Sequence, residues 1–224
     1  MRLLAILLTV PLMCLAASSD VADAAARGDK AAVRALILKK ADVNATQVDG
    51  TTALHWAAQA DDVEMADLLI KAGAKAGIEN RSGATPLLLA SVNGNAAMID
   101  KLAKAGADVN ASLTRSGDTA LMIASRTGKV DAVRSLLDNG AKVNAKETLR
   151  ETTALMWAAE QNHADVVKLL IARGAELNAN SKVNVYEKQY GLNAKVKDTG
   201  NTGGMTALVL AAREGAIESV KALI

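Results

Sequence analysis

The sequence predicts an all-α solenoid, a row of about six stacked helix-turn-helix units joined by finger-like turns, and three observations predict it. First, a threonine opens a short apolar segment five times, at Thr52-Ala53-Leu54, Thr85-Pro86-Leu87, Thr119-Ala120-Leu121, Thr153-Ala154-Leu155 and Thr206-Ala207-Leu208, in steps of 33, 34, 34 and 53 residues. Second, apolar triplets at helical spacing keep pace with these openings: Val33/Leu36/Ile37, Ala66/Leu69/Ile70, Ile99/Leu102/Ala103, Val133/Leu136/Leu137, Val167/Leu170/Ile171 and Val220/Leu223/Ile224. Third, half of the 224 residues are hydrophobic, yet Phe is absent and Trp and Tyr occur twice each. The apolar content is therefore mostly Ala, Leu, Val and Ile, which suits close-packed short helices better than an aromatic-filled sheet. Self-similarity at this period means units too small to hide an apolar side alone, each hiding it on the next.

In chain order, Met1-Arg2 precedes thirteen uncharged residues, Leu3 to Leu15, and then Ala16-Ala17-Ser18-Ser19. A positive start, a short apolar run and small residues at its exit have the form of a secretory signal peptide, and the run is too short for a bilayer span of about 20 residues. Residues 1–19 are thus expected to direct export, to a periplasm or outside the cell, and to be cleaved near residue 18 or 19. No stable membrane anchor is expected afterwards. Cys14, the single cysteine, would leave with this segment. Lipid modification of Cys14 is the rival reading, and Pro11-Leu12-Met13 before it fits that poorly. A mature chain without cysteine has neither disulfides nor a thiol nucleophile.

Residues 20–224 divide into an N-terminal cap (20–49), full units at 50–82, 83–116 and 117–150, a unit at 151–202 carrying an inserted finger loop at about 179–203, and an incomplete unit at 203–224. Each opening Thr can cap a helix of about two turns by accepting a backbone N–H, and Leu54, Ala57 and Ala58 show its buried stripe. A turn such as Asn93-Gly94-Asn95 leads to the second helix, whose face is the triplet. Gly73, Gly106, Gly140 and Gly174 can end that helix in the left-handed conformation. Endings such as Ala107-Asp108-Val109-Asn110 then run into a finger turn carrying Gly50, Gly83, Gly117 or Gly204. Two positions break the pattern: Lys40 replaces a helix-ending Gly and Glu151 a finger Gly, so strain or a different turn is expected at both. The last unit stops within its second helix, which leads us to expect that the parent protein continues with further repeats.

These units resemble ankyrin repeats. Thr52-Ala53-Leu54-His55-Trp56-Ala57-Ala58 is similar to the family's Thr-Pro-Leu-His-x-Ala-Ala, Asn162 to Leu170 resembles its Gly-His-x-Glu-Val-Val-x-Leu-Leu, and Gly106-Ala107-Asp108-Val109-Asn110 matches its repeat ending. The resemblance runs from about residue 20 to 224. It implies a protein-binding scaffold and hydrogen bonding of His55 and His163 within the repeats.

Nothing in the residues points to catalysis or a cofactor. Two histidines and no cysteine in the mature chain supply no converging zinc ligands. No Gly-rich segment follows a strand or carries a Lys-Ser/Thr, so a phosphate loop is excluded. The formal charge of +2 has no single-sign run, which removes the electrostatic case for nucleic acid. Trp56 and Trp157 share one register and read as packing residues. Asn44-Ala45-Thr46 and Asn110-Ala111-Ser112 are formal glycosylation sequons that fall in the common repeat ending.

Two features are candidates for recognition. The insert holds both tyrosines, Tyr186 and Tyr190, with Lys182 and Lys188, and a finger insertion leaves the helices undisturbed. Arg81 and Arg115 occupy equivalent finger turns, Arg150 lies one residue off that register, and Arg126 and Arg213 share a place after their first helices. Stacking would align these into a basic line on the concave face, suited to a carboxylate-rich partner. The expected function is therefore protein binding through the concave finger and first-helix surface by a monomer, without catalysis or cofactor. A ligand-binding or enzymatic role centred on the insert and an architectural spacer role are the alternatives.

Overall fold

The computed structural model describes residues 19–112, 116–189 and 197–224, and only the backbone within 184–202. Residues 1–18, which include the expected signal segment and Cys14, lie outside the described residues. Among the described residues, twelve helices form six hairpins: α1 (Asp20–Ala26) with α2 (Lys30–Leu38), α3 (Ala53–Gln59) with α4 (Val63–Lys71), α5 (Pro86–Asn93) with α6 (Ala96–Lys104), α7 (Ala120–Arg126) with α8 (Val130–Asp138), α9 (Ala154–Glu160) with α10 (Ala164–Ala172) and α11 (Ala207–Arg213) with α12 (Ile217–Leu223). First helices stack on first helices from α1 to α11, and second helices on second helices from α4 to α12.

The core is a serial ladder along these columns. The leading triplet residues Val33, Ala66, Ile99, Val133 and Val167 are all fully buried, as are the next rungs Leu69, Leu102, Leu136 and Leu170. Leu36 of the cap unit, by contrast, is only part-buried, and among the described residues no repeat stacks on its outer side. Removing side chains of this kind from water stabilises by roughly 1.5–3 kcal/mol each, which is what holds the units together.

Local signals set each helix. Thr85, Thr119, Thr153 and Thr206 cap the first helices by accepting from the backbone N–H three residues on. The Thr52 hydroxyl instead meets His55 Nδ1 at 2.8 Å. Asp29, Asp62 and Asn95 cap second helices in the same way as the threonines. Lys40 (φ 59°) and Glu151 (φ 53°) keep the left-handed turns that glycine makes elsewhere, so the geometry is retained and the strain, roughly 1–2 kcal/mol each, is carried by the fold.

Hydrogen bonds tie finger to finger. The Arg81 N–H donates to the Asp49 carbonyl, Thr148 to Ser116 and Lys182 to Arg150, at 2.7–2.8 Å. Behind the fingers Asn44, Asn110 and Asn144 each donate to the closing glycine carbonyl of the next unit and accept from a backbone N–H just beyond it. Both sequon asparagines, Asn44 and Asn110, thus use their amides as repeat-to-repeat bridges.

The insert, expected as a loop, contains a hairpin: β1 (Asn184–Gln189) pairs antiparallel with β2 (Lys197–Thr202), with Asn184 opposite Thr202 and Gln189 opposite Lys197. It grows from an ordinary finger. Where Gln47 closes its turn on Thr51 and Asn80 on Ala84, Ser181 closes on Met205, so the ribbon replaces a turn tip and leaves the stack intact. Gly203 (φ 99°) is required there, since a Cβ would run into the Lys182 carbonyl.

Candidate functional site

At the root of this ribbon, the fingers before α9 and α11 meet the first helices. Glu147 organises the first of them. Its carboxylate, 2% exposed, accepts from the Leu149, Arg150 and Thr152 N–H groups and from the Thr152 hydroxyl at 2.6–3.1 Å. Burial opposes ionisation of Glu147, but the donations from Thr152, Leu149 and Arg150 outweigh it and hold the group below the ordinary carboxylate value. The clamp fixes Arg150, and the Thr152 hydroxyl in turn accepts from the Trp157 indole N–H at 2.9 Å.

Trp157, only part-buried, is thus held with its ring toward two cations. The Arg126 guanidinium carbon stands 4.7 Å and that of Arg150 5.3 Å from the ring centroid. Beside the ring opens a recess of about 310 Å³ whose walls include Thr152, Ser181, Lys182, Met205, Leu210 and Arg213. Arg126 and Arg213 close α7 and α11, and Glu160 occupies the same register between them. Glu160 accepts from Arg213 at 3.0 Å, and Glu214 from the same guanidinium at 2.8 Å. Among the described residues no carboxylate pairs with Arg126 or Arg150.

Sequence-predicted residues separate into three groups. Arg126, Arg150, Lys182 and Arg213 come together here. Arg81 lies two fingers away, exposed, beside a shallow recess shared with Asp23, Gln47 and Asp49. Arg115 and Tyr190 lie outside the described residues, and Tyr186 and Lys188 are placed only as backbone in β1, opposite Gly200 and Asp198. Sequence reasoning assigned Trp157 to packing and overlooked Glu147, Met205 and Leu210. A Trp one turn after a Thr and near an Arg at the preceding helix end was the available signal.

The histidines bridge repeats. His55 Nε2 lies 2.9 Å from the Ala84 carbonyl, which must accept, so Nδ1 takes the Thr52 N–H and hydroxyl. Burial pushes the His55 pKa down, against the raising effects of the Ala84 carbonyl and Asp49. His163 Nε2 reaches the Arg126 carbonyl at 3.0 Å. Among the described residues no group of three or more His, Cys, Asp or Glu side chains is placed to hold a metal ion, and no helix is long and apolar enough to cross a membrane.

The family described as ankyrin repeats (3 copies) matches residues 21–113 and 107–181. The chain belongs to the ankyrin-repeat family. A stretch of 64 residues is 44% identical to a putative ankyrin repeat protein of Rickettsia bellii, covering 29% of this chain and 38% of that protein. Another of 81 residues is 38% identical to Protein PhlB of Serratia liquefaciens, covering 36% of each. A third of 55 residues is 47% identical to Neurogenic locus notch homolog protein 1 of Homo sapiens, 25% of this chain and 2% of that protein. The chain therefore spans well under half the length of each of these relatives. Ankyrin repeats generally mediate protein–protein interaction, and the family is typically non-enzymatic.

Proposed function

We propose that the protein is an exported, monomeric interaction scaffold that binds another protein through its fingers and first helices, with Trp157 and its two arginines at the centre and no catalysis of its own. One observation carries this reading: a part-buried Trp, flanked by two cations that have no carboxylate partner among the described residues and bordered by a recess with Met205 and Leu210 in its wall, opens on the finger side of a rigid stack. Aromatic and Arg side chains at a preformed recess are the usual energetic centre of protein interfaces. The export component rests on the form of residues 1–19 and on the cysteine-free remainder of the chain.

A photo-crosslinking residue placed at Leu149, 63% exposed on the finger, is expected to capture a protein from the native compartment, whereas the same residue at the exposed Arg134 of α8 is not. Equal capture from both positions, or capture from Arg134 alone, sinks the finger-side assignment. Fractionation tests export directly: a chain found only with the cytoplasm rejects it.

A further inference from the structure

We infer that the Trp157 recess takes an acidic, extended segment of its partner, with a carboxylate over Arg126 and Arg150 and an adjacent apolar side chain against Trp157, Met205 and Leu210. This deepens the reading of that surface as a protein-binding site and rests on it.

Charge pairing across the repeats carries the inference. Five other cations that face a neighbouring repeat are neutralised by it: Lys30 and Arg34 by Glu64, Lys101 by Asp67, Arg173 by Asp138 and Arg213 by Glu160, all at 2.7–3.0 Å. Arg126 and Arg150 both belong to the unit at 117–150 and both face Trp157 of the next repeat, yet among the described residues they share its aromatic ring instead of an anion. Their distances to the one centroid place the two guanidinium carbons no farther apart than about one Debye length at 0.1 M salt, so they repel. The ring's negative face offsets part of that repulsion, and an incoming carboxylate would remove the rest.

Geometry favours a carboxylate on a chain over a free anion. The guanidinium fork matches a carboxylate with two parallel hydrogen bonds. Beside its cations the recess is also walled by Met205 and the buried Leu210, which give a seat to an apolar side chain that an inorganic anion does not have. Lys182 extends the positive rim along the finger, so the site reads as a short track. Its backbone is held by the Arg150 carbonyl, and the Arg150 backbone by Glu147, so the track is preformed.

The test pans a random dodecapeptide library on the immobilised full chain, then measures the recovered peptides in solution against the full chain and against R126Q/R150Q. The expected peptides are rich in Asp and Glu next to an apolar residue. They weaken roughly tenfold or more on the double variant, and equally when their acids are replaced by amides. R126K/R150K, which keeps the charge and loses the fork, is expected to recover part of the binding, and an unchanged melting curve shows that each variant is folded. Peptides without an acidic excess, or affinities unmoved by R126Q/R150Q, overturn the inference while leaving the protein-binding surface standing. Competition by inorganic phosphate better than by the acidic peptides overturns the choice of a carboxylate. Recovery of no peptide also overturns it, and the crosslinking from Leu149 then decides the wider reading alone.

Discussion

Trp56 and Trp157 stand at one register of two repeats, and the protein uses them differently. The Trp56 indole donates to the Gln47 side chain, whose own amide donates to Asp23 at 2.6 Å, so this ring is tied into the cap repeat. Trp157 donates only inward, to Thr152, and turns its ring to Arg126 and Arg150. The neighbouring recesses differ in the same sense: Asp23 and Asp49 with one cation, Arg81, line the first, while Arg150, Lys182 and Arg213 with one acid, Glu160, line the second. One repeated scaffold thus carries a structural end and a proposed binding end, and the difference comes from the finger residues Arg150 and Lys182 together with Arg126 at the end of α7.

The largest expected effect tests what holds the proposed binding end. Glu147→Ala leaves three N–H groups and a hydroxyl without their acceptor and is expected to cost about 3 kcal/mol in urea unfolding and to weaken peptide binding. Asp49→Ala at the other end, where the carboxylate accepts hydrogen bonds from Thr51, is expected to cost clearly less. Equal costs would erase the distinction. Next come the two rings themselves. Trp56→Ala is expected to lose about 2 kcal/mol and keep partner capture, while Trp157→Ala loses about 1 kcal/mol and abolishes capture. The reverse pattern would exchange the roles of the two ends.

Acid separates the ends by pH. His55 has a depressed folded pKa, so its contribution is complete above about pH 6.5 and is lost as the pH falls below it through the folded value. Glu147 is also depressed, so its contribution is present above about pH 4.5 and fades only at lower pH. Amide hydrogen exchange is expected to show the finger around Ala84 loosening first and the finger around Arg150 later; simultaneous loss contradicts this. The smallest effect is backbone strain: Lys40→Gly is expected to raise stability by about 1 kcal/mol, read from the urea midpoint, because Lys40 holds φ at 59°.

The helical ladder was legible because buried positions repeat with the period of the unit: Val33, Ala66, Ile99, Val133 and Val167 each had to face the next hairpin. Lys40 and Glu151 could be singled out as departures, yet only the backbone revealed that both accept the left-handed turn. The ribbon was less visible. Asn184 to Gln189 carries Val185 and Tyr186, which favour strands, but Lys197 to Thr202 has no apolar alternation, and its pairing follows from the closure of Ser181 on Met205. At the site the sequence suggested a line of arginines. Their convergence on a ring, and the interruption at Glu160, depend on finger shape.

By itself the sequence determined the architecture, because hydrophobic period, caps and turn residues act locally and recur in every unit. Tertiary structure alone decided which cations found anions and which found Trp157, since residues 126, 150 and 157 belong to neighbouring repeats and meet only when stacking fixes their distances. Electrostatic pairing depends on separations of a few ångströms, and a linear pattern carries no such distances.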